Sequence, residues 1–203
     1  KRLLKLMLPA MFGAGIVQIN LLIDVILAST LPTGSVSYLY YADRVNQLPL
    51  DVIGVAIGTA LLPRLSKNIK AGRLEDALSN QEKSLEIGLM LTVPAALGLM
   101  VLSDPIITLL FQRGLFDIES THLTSLALLA YSTGLPAFVL IKILQPNFFA
   151  RSDTVTPIKI AAIAIVTNLI LNLILMQYFA HVGLALATSV SAWLSAILLL
   201  IIL

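Results

Sequence analysis

Six apolar stretches, each long enough to cross a bilayer as a helix, take up most of this chain and leave only short polar breaks between them. A hydrocarbon core about 30 Å thick needs roughly 20 apolar residues in a helix. The stretches fall near 6–29, 35–62, 85–102, 121–144, 157–178 and 182–203. In lipid every backbone polar group must be paired internally, so runs of this length read as helices. The expected fold class is all-α: a polytopic transmembrane helical bundle of six spans. Only 12% of the residues are charged, against about 25% in soluble domains. A large soluble helical core would need polar residues at every third or fourth position, and most of the chain has none there.

The breaks carry turn chemistry: Leu31-Pro32-Thr33-Gly34, Ser103-Asp104-Pro105, Gln145-Pro146 and His181-Val182-Gly183. Lysine and arginine set the orientation. Lys1, Arg2 and Lys5 flank the first span, and Arg64, Lys67, Lys70, Arg73 and Lys83 follow the second. Arg151, with Lys142 and Lys159 nearby, follows the fourth. The turns at 30–34 and 179–181 have no lysine or arginine, and 103–120 has only Arg113. The charge alternates with each crossing, which predicts both ends of the chain on the cytoplasmic side. The linker 64–83 has an irregular apolar stripe (Leu65, Ile69, Leu74, Leu78, Leu85) among charges. It reads as a short amphipathic helix on the cytoplasmic headgroups, with partner docking as the alternative. The chain opens on Lys1-Arg2 and closes inside the apolar run 196–203, and is expected to be a segment of something longer.

Several function classes are excluded early. There is no cysteine, hence no disulfide or thiolate metal site, and two histidines, His122 and His181, are too few for zinc without carboxylates. The net charge of +2 is explained by topology, and no nucleic-acid partner or tightly bound cofactor is expected.

Ionisable groups at membrane depth usually face a cavity or a partner and mark function. In the second span Tyr40, Arg44, Gln47 and Asp51 recur at i, i+4, i+7 and i+11, on one helical face, with Asp43 adjacent. Pro49 interrupts the same helix, and Gly54 and Gly58 form a G-x-x-x-G close-packing face. Arg44 could simply pair with Asp43 or Asp51. An arginine in such a stripe is better explained by an aqueous cavity, where a guanidinium can clamp a phosphate through two bonds. A second constellation joins Gln18, Asn20 and Asp24 of the first span, Asn168 and Asn172 of the fifth, and Thr188 of the sixth. It supports two readings equally: an all-oxygen shell for a hard cation, or interhelical hydrogen bonds worth about 0.6–2 kcal/mol. Trp193 and His122 read as packing and interfacial residues.

Three further motifs recur in order. They are Tyr40-Tyr41-Ala42-Asp43-Arg44 with Gln47-Leu48-Pro49-Leu50 and the glycine-bearing run 54–63, then Phe111-Gln112-Arg113-Gly114-Leu115-Phe116-Asp117, then Phe148-Phe149-Ala150-Arg151-Ser152-Asp153-Thr154-Val155-Thr156-Pro157. Through them the whole chain resembles the MurJ/MviN family of lipid II flippases. The resemblance implies helices seven to twelve: the second six-helix lobe of a two-lobe multidrug/oligosaccharidyl-lipid/polysaccharide exporter fold. The first lobe and the two final helices would lie elsewhere in the same chain. It also implies a bacterial inner-membrane protein with membrane lipids around it. Such a protein would move undecaprenyl-pyrophosphate-linked peptidoglycan precursor, lipid II, by alternating access. On this resemblance Arg44 contacts the pyrophosphate, with Tyr40, Asp43, Gln47 and Asp51 beside it. Asp24, Asn168, Asn172, Thr188 and the Leu184 carbonyl match a sodium site. Asn172 stands where an acid can occur, which lowers the charge of that site. Asp51 stands where small residues are usual, which points to a local Arg44–Asp51 pair. The alternatives are a polysaccharide-lipid flippase or a cation-coupled drug antiporter of the same superfamily. An intramembrane enzyme on polyprenyl phosphates would need clustered acids or histidines at one membrane face, which the loops lack. A scaffold that only binds partners would not need a buried Arg/Asp stripe.

Overall fold

The computed structural model describes residues 18 and 20–203. Among these every regular element is helical: α1 (Asn20–Ser29), α2 (Ser35–Pro49), a π-helix (Leu50–Val55), α3 (Ala56–Lys70), α4 (Leu74–Val101), α5 (Ser103–Phe111), α6 (Ile118–Ser132), α7 (Leu135–Ala150) and α8 (Val155–Ile202). Most of the first expected span lies outside the described residues.

α2, the π-helix and α3 run on as one helix, Ser35–Lys70, long and apolar enough to cross a membrane. Pro49 has no N–H to give to the Val45 carbonyl, and the π-turn that follows absorbs the disruption. α4 is a second crossing, and α6 with α7 forms a third that is bent by 42°. α8 has 48 residues and would be about 72 Å long if straight, more than twice a core of about 30 Å. It reverses at Ala180 (φ 47, ψ −128) into antiparallel legs 155–179 and 181–202. Asn168 consequently lies beside Thr188 and Ser191, and Gly183 meets the Leu175 carbonyl so closely that no Cβ would fit.

The linker 64–83 is not a helix of its own, contrary to the sequence reading. Residues 64–70 complete α3, Gly72 at φ 71 ends it, and α4 begins at Leu74. The Gly72 N–H donates to Ile69 and the Arg73 N–H to Asn68, a left-handed glycine cap. Both flanks are drawn into the bundle: Leu65 and Ala77 are buried with Val139 and Ile143 of α7. Gln81 Nε2 donates to the Ile143 carbonyl at 3.0 Å. The expected third span, 85–102, is likewise the later part of α4.

The G-x-x-x-G face packs on α7. A Cβ at Gly58 would stand 2.6 Å from the Lys142 carbonyl oxygen, the group that Pro146 leaves without its helical donor. The bend between α6 and α7 frees other carbonyls, and the second leg of α8 satisfies them. Ser189 Oγ donates to Ala130 at 2.8 Å and Trp193 Nε1 to Thr133 at 3.0 Å. Trp193 therefore makes a specific polar contact rather than packing alone.

The two loop motifs are capping devices. Phe111 and Phe116 pack on Tyr41, with centroids 4.8 and 5.5 Å away, around Gly114 at φ 62. Asp117 then caps α6 by accepting from the Ser120 N–H at 2.8 Å, and that bond holds its carboxyl below the ordinary carboxylate range. At the other motif Ser152 takes a positive φ. Asp153 Oδ1 accepts from the Thr156 and Val155 N–H groups, both at 3.0 Å, ahead of Pro157 in the first turn of α8.

Candidate functional site

Arg44 stands on a crossing helix with no carboxylate within 4.0 Å among the described residues, where two ion pairs occur and both lie elsewhere. The expected Arg44–Asp51 pair does not form. Asp51 is exposed and falls within the π-helix, and Arg44 turns instead toward its own preceding and following turns. Its guanidinium lies 4.8 Å from the Tyr40 ring centroid, and Nη1 donates to Gln47 Oε1 at 3.2 Å. Gln47 Nε2 in turn donates to Asp43 Oδ2. Tyr40, Arg44, Gln47 and Asp43 thus form one relay, with Asp51 outside it. Tyr40, Arg44 and Asp51 are exposed, Asp43 and Gln47 half-buried. The relay orients the guanidinium without a direct carboxylate contact, Asp43 acting on it by charge from beyond Gln47, and leaves donors free for an anion.

The second constellation comes together where α1 meets the hairpin of α8. Asn172 Nδ2 donates to Asp24 Oδ1 at 2.7 Å and to Asn168 Oδ1 at 2.9 Å. Asn20 Nδ2 reaches Asp24 Oδ2 at 3.3 Å, and Thr188 Oγ1 donates to the Leu184 carbonyl at 3.0 Å. All five residues matched to a cation site therefore sit in one cluster. Turning the Asn168 amide over gives it more partners: its oxygen then accepts from the Thr188 N–H at 3.2 Å and its nitrogen faces Asn20 Oδ1 at 3.1 Å. With the Asn168 amide in its first orientation, Asn172 Oδ1 is buried without a partner among the described residues. Asn172 turns its nitrogen to Asp24 and Asn168, and its unpaired amide oxygen and the Asp24 carboxylate are donors of the kind a hard cation takes. Among the described residues no three His, Asp or Glu side chains gather as a metal cluster.

The sequence reading missed three residues. Ser191 bonds Asn168 and is one helical step beyond Thr188, the signal that could have found it. Ser195, four residues further on, lines a cavity together with Asn168, Thr188 and Ser191. Tyr131 of α6 shares a cavity with Asp24 and Asp43, a proximity that no spacing along the chain predicts.

A bundle of helices long and apolar enough to cross a membrane defines a polytopic membrane protein. Solved structures agree on the fold. An outward-facing MATE family transporter of the MOP superfamily superposes with a TM-score of 0.85 over 97% of this chain and 43% of its own, at 19% identity. A lipid II flippase MurJ in an inward closed conformation superposes with a TM-score of 0.88 at 32% identity, over 98% of this chain and 42% of that one. The family model described as lipid II flippase MurJ matches residues 1–203, and the chain belongs to that family. Among curated relatives, the probable lipid II flippase MurJ of Rhizobium meliloti (strain 1021) is 50% identical over 199 residues, which is 98% of this chain and 37% of the relative. That of Rhizobium tropici is 46% identical over 201 residues, 99% of this chain and 38% of the relative. The chain thus spans less than two fifths of the length of these relatives.

Proposed function

We propose that this chain is the second lobe of a lipid II flippase of the bacterial inner membrane, in which Arg44 binds the pyrophosphate of the lipid-linked peptidoglycan precursor. The observation that carries the reading is the bare guanidinium of Arg44, held by Tyr40 and Gln47 on a face of the lobe that the described residues leave open. In alternating access that face would meet a first lobe elsewhere in the chain. A pyrophosphate would take the donors that Gln47 leaves free, and closure around it would be driven by the differential contact each state offers. The test uses the full-length protein in a flipping assay. Arg44→Ala should abolish transport with folding intact, and Arg44→Lys should restore only part, since an ammonium cannot form the two-pronged contact. Wild-type transport by Arg44→Ala would refute the assignment.

The same reading places a sodium ion at Asp24, Asn168, Asn172, Thr188 and the Leu184 carbonyl, supported by the orphaned Asn172 Oδ1. When bound, the ion would tie α1 to both legs of α8 and bias the lobe between two arrangements. At ten times its Kd it would stabilise the lobe by about 1.4 kcal/mol. Sodium should raise the melting temperature more than potassium does, and Asp24→Asn should remove the difference. Equal effects of the two ions on wild type and variant would reduce the cluster to packing.

A further inference from the structure

Two cavities of about 190 Å³ each approach the Asp24 cluster from different sides. One lies among α1, α2 and α6 and is walled by Asp24, Asp43, Tyr40 and Tyr131. The other lies between α7 and the two legs of α8, reaching from Gln145 and Pro157 to Asn168. Asn20 and Thr188 line both, so the cluster is a partition between them.

The second cavity has an unusual wall. Along the second leg of α8 it is lined by Thr188, Ser191 and Ser195, whose spacing of three and four puts them on one helical face. Thr188 Oγ1 and Ser191 Oγ are each 3.3 Å from Asn168 Nδ2. Both also bond carbonyls of their own helix, Thr188 to Leu184 and Ser191 to Ala187. Ser195 is only 8% exposed and makes no such bond among the described residues. A buried hydroxyl facing a cavity is costly unless water or an ion meets it. At the inner end the cavity is lined by Asn168, which accepts from Asn172 Nδ2. The facing wall, from Ala161 and Ala164 to Ile165, offers nothing to hold a cation. The mouth at Gln145 and Pro157 adjoins the loop bearing Arg151, on the side the lysine and arginine distribution assigns to the cytoplasm.

We propose that this cavity is the aqueous route by which a monovalent cation exchanges between the cytoplasmic side and the Asp24 cluster. Gln145, Ser195 and Ser191 replace part of its hydration shell along the way. The proposal rests on reading the cluster as a cation site. Ala161 and Ala164 serve a purpose in it: among the bulkier Phe138, Ile141, Ile160, Ile165 and Leu199 of the lining, they leave the space beside the hydroxyls open to an ion-sized particle.

The test uses the full-length protein, free of other accessible cysteines, in proteoliposomes, with Ser195→Cys and a cationic methanethiosulfonate applied from either side. Modification is expected from the cytoplasmic side and should slow when sodium, but not potassium, is saturating. Adding Ala161→Leu should slow it about tenfold or more, since a lumen filled to interior density passes no probe. The sodium-induced melting shift should survive that substitution, which lies about two helical turns from Asn168. A Ser195→Cys that reacts from the outer side alone, or from neither side, while the sodium shift persists would overturn the route and leave the site standing. Absence of a sodium shift in the unsubstituted protein would overturn the site and the route with it. Should Ser195→Cys fold poorly, Ser191→Cys is read in the same way.

Discussion

Replacing Gly58 by alanine should destabilise the lobe, whereas the same change at Gly98 should stabilise it. Both glycines lie inside helices, where alanine is favoured over glycine by about 0.8–1 kcal/mol. At Gly98 nothing lies within 4 Å of the added methyl, so that gain is realised. At Gly58 the methyl would sit 2.6 Å from the Lys142 carbonyl oxygen and 3.5 Å from its carbon, against backbone that cannot swing aside. α3 and α7 must separate by several tenths of an ångström, along a face where Leu61, Leu65, Val139 and Ile143 are packed. Overpacking of this kind costs about 1–3 kcal/mol, and a backbone neighbour favours the upper part of that range. Offset by the helix gain, Gly58→Ala should be less stable by about 1–2 kcal/mol, which separates the two variants by about 2–3 kcal/mol. Equilibrium unfolding of the full-length protein in detergent, with the two variants side by side, reads that difference directly. If Gly58→Ala were as stable as Gly98→Ala, the close approach of α3 to α7 would not exist in solution.

Two further outcomes follow from the loop motifs. Asp153 accepts two backbone N–H groups, and its bonds with Thr156 hold its carboxyl below the ordinary range. Asp153→Ala should cost about 0.5–2 kcal/mol at neutral pH. Because the folded-state value is depressed, this stabilisation is present above the unfolded value of about 3.9 and fades as pH falls through the lower folded value. Wild type and variant should therefore converge in acid, and a gap that widened there would contradict the cap. Phe116→Ala removes an edge-to-face contact with Tyr41 worth about 0.5–1.5 kcal/mol beyond burial, and should loosen the loop around Arg113. Trypsin added outside right-side-out vesicles should then cut at Arg113 faster than in wild type, with Arg73 spared. Cleavage at Arg73 from outside would reverse the orientation.

The sequence by itself determined the all-helical membrane class, because apolar length and missing charge leave a lipid-embedded backbone almost no other way to pair its polar groups. It also located Arg44 and the oxygen-bearing residues Asp24, Asn168, Asn172 and Thr188, since polar groups are conspicuous against an apolar background. The turn residue Gly34 was legible too, its positive φ being one that glycine adopts freely. What each polar group does with its neighbours was decided by tertiary structure. Arg44 passed over Asp51 for Tyr40 and Gln47, a choice set by rotamer and by the π-turn after Pro49 rather than by spacing. The linker 64–83 was divided between α3 and α4 because Leu65 and Ala77 found a buried partner in α7, which no local pattern encodes. Ser191 shares a helical face with Thr188, but its bond to Asn168 exists only because α8 folds back at Ala180. Ser191 lies 23 residues from Asn168 along the chain, yet the reversal brings the two within hydrogen-bond distance. Helical periodicity reports which residues share a face, and only packing reports what that face meets.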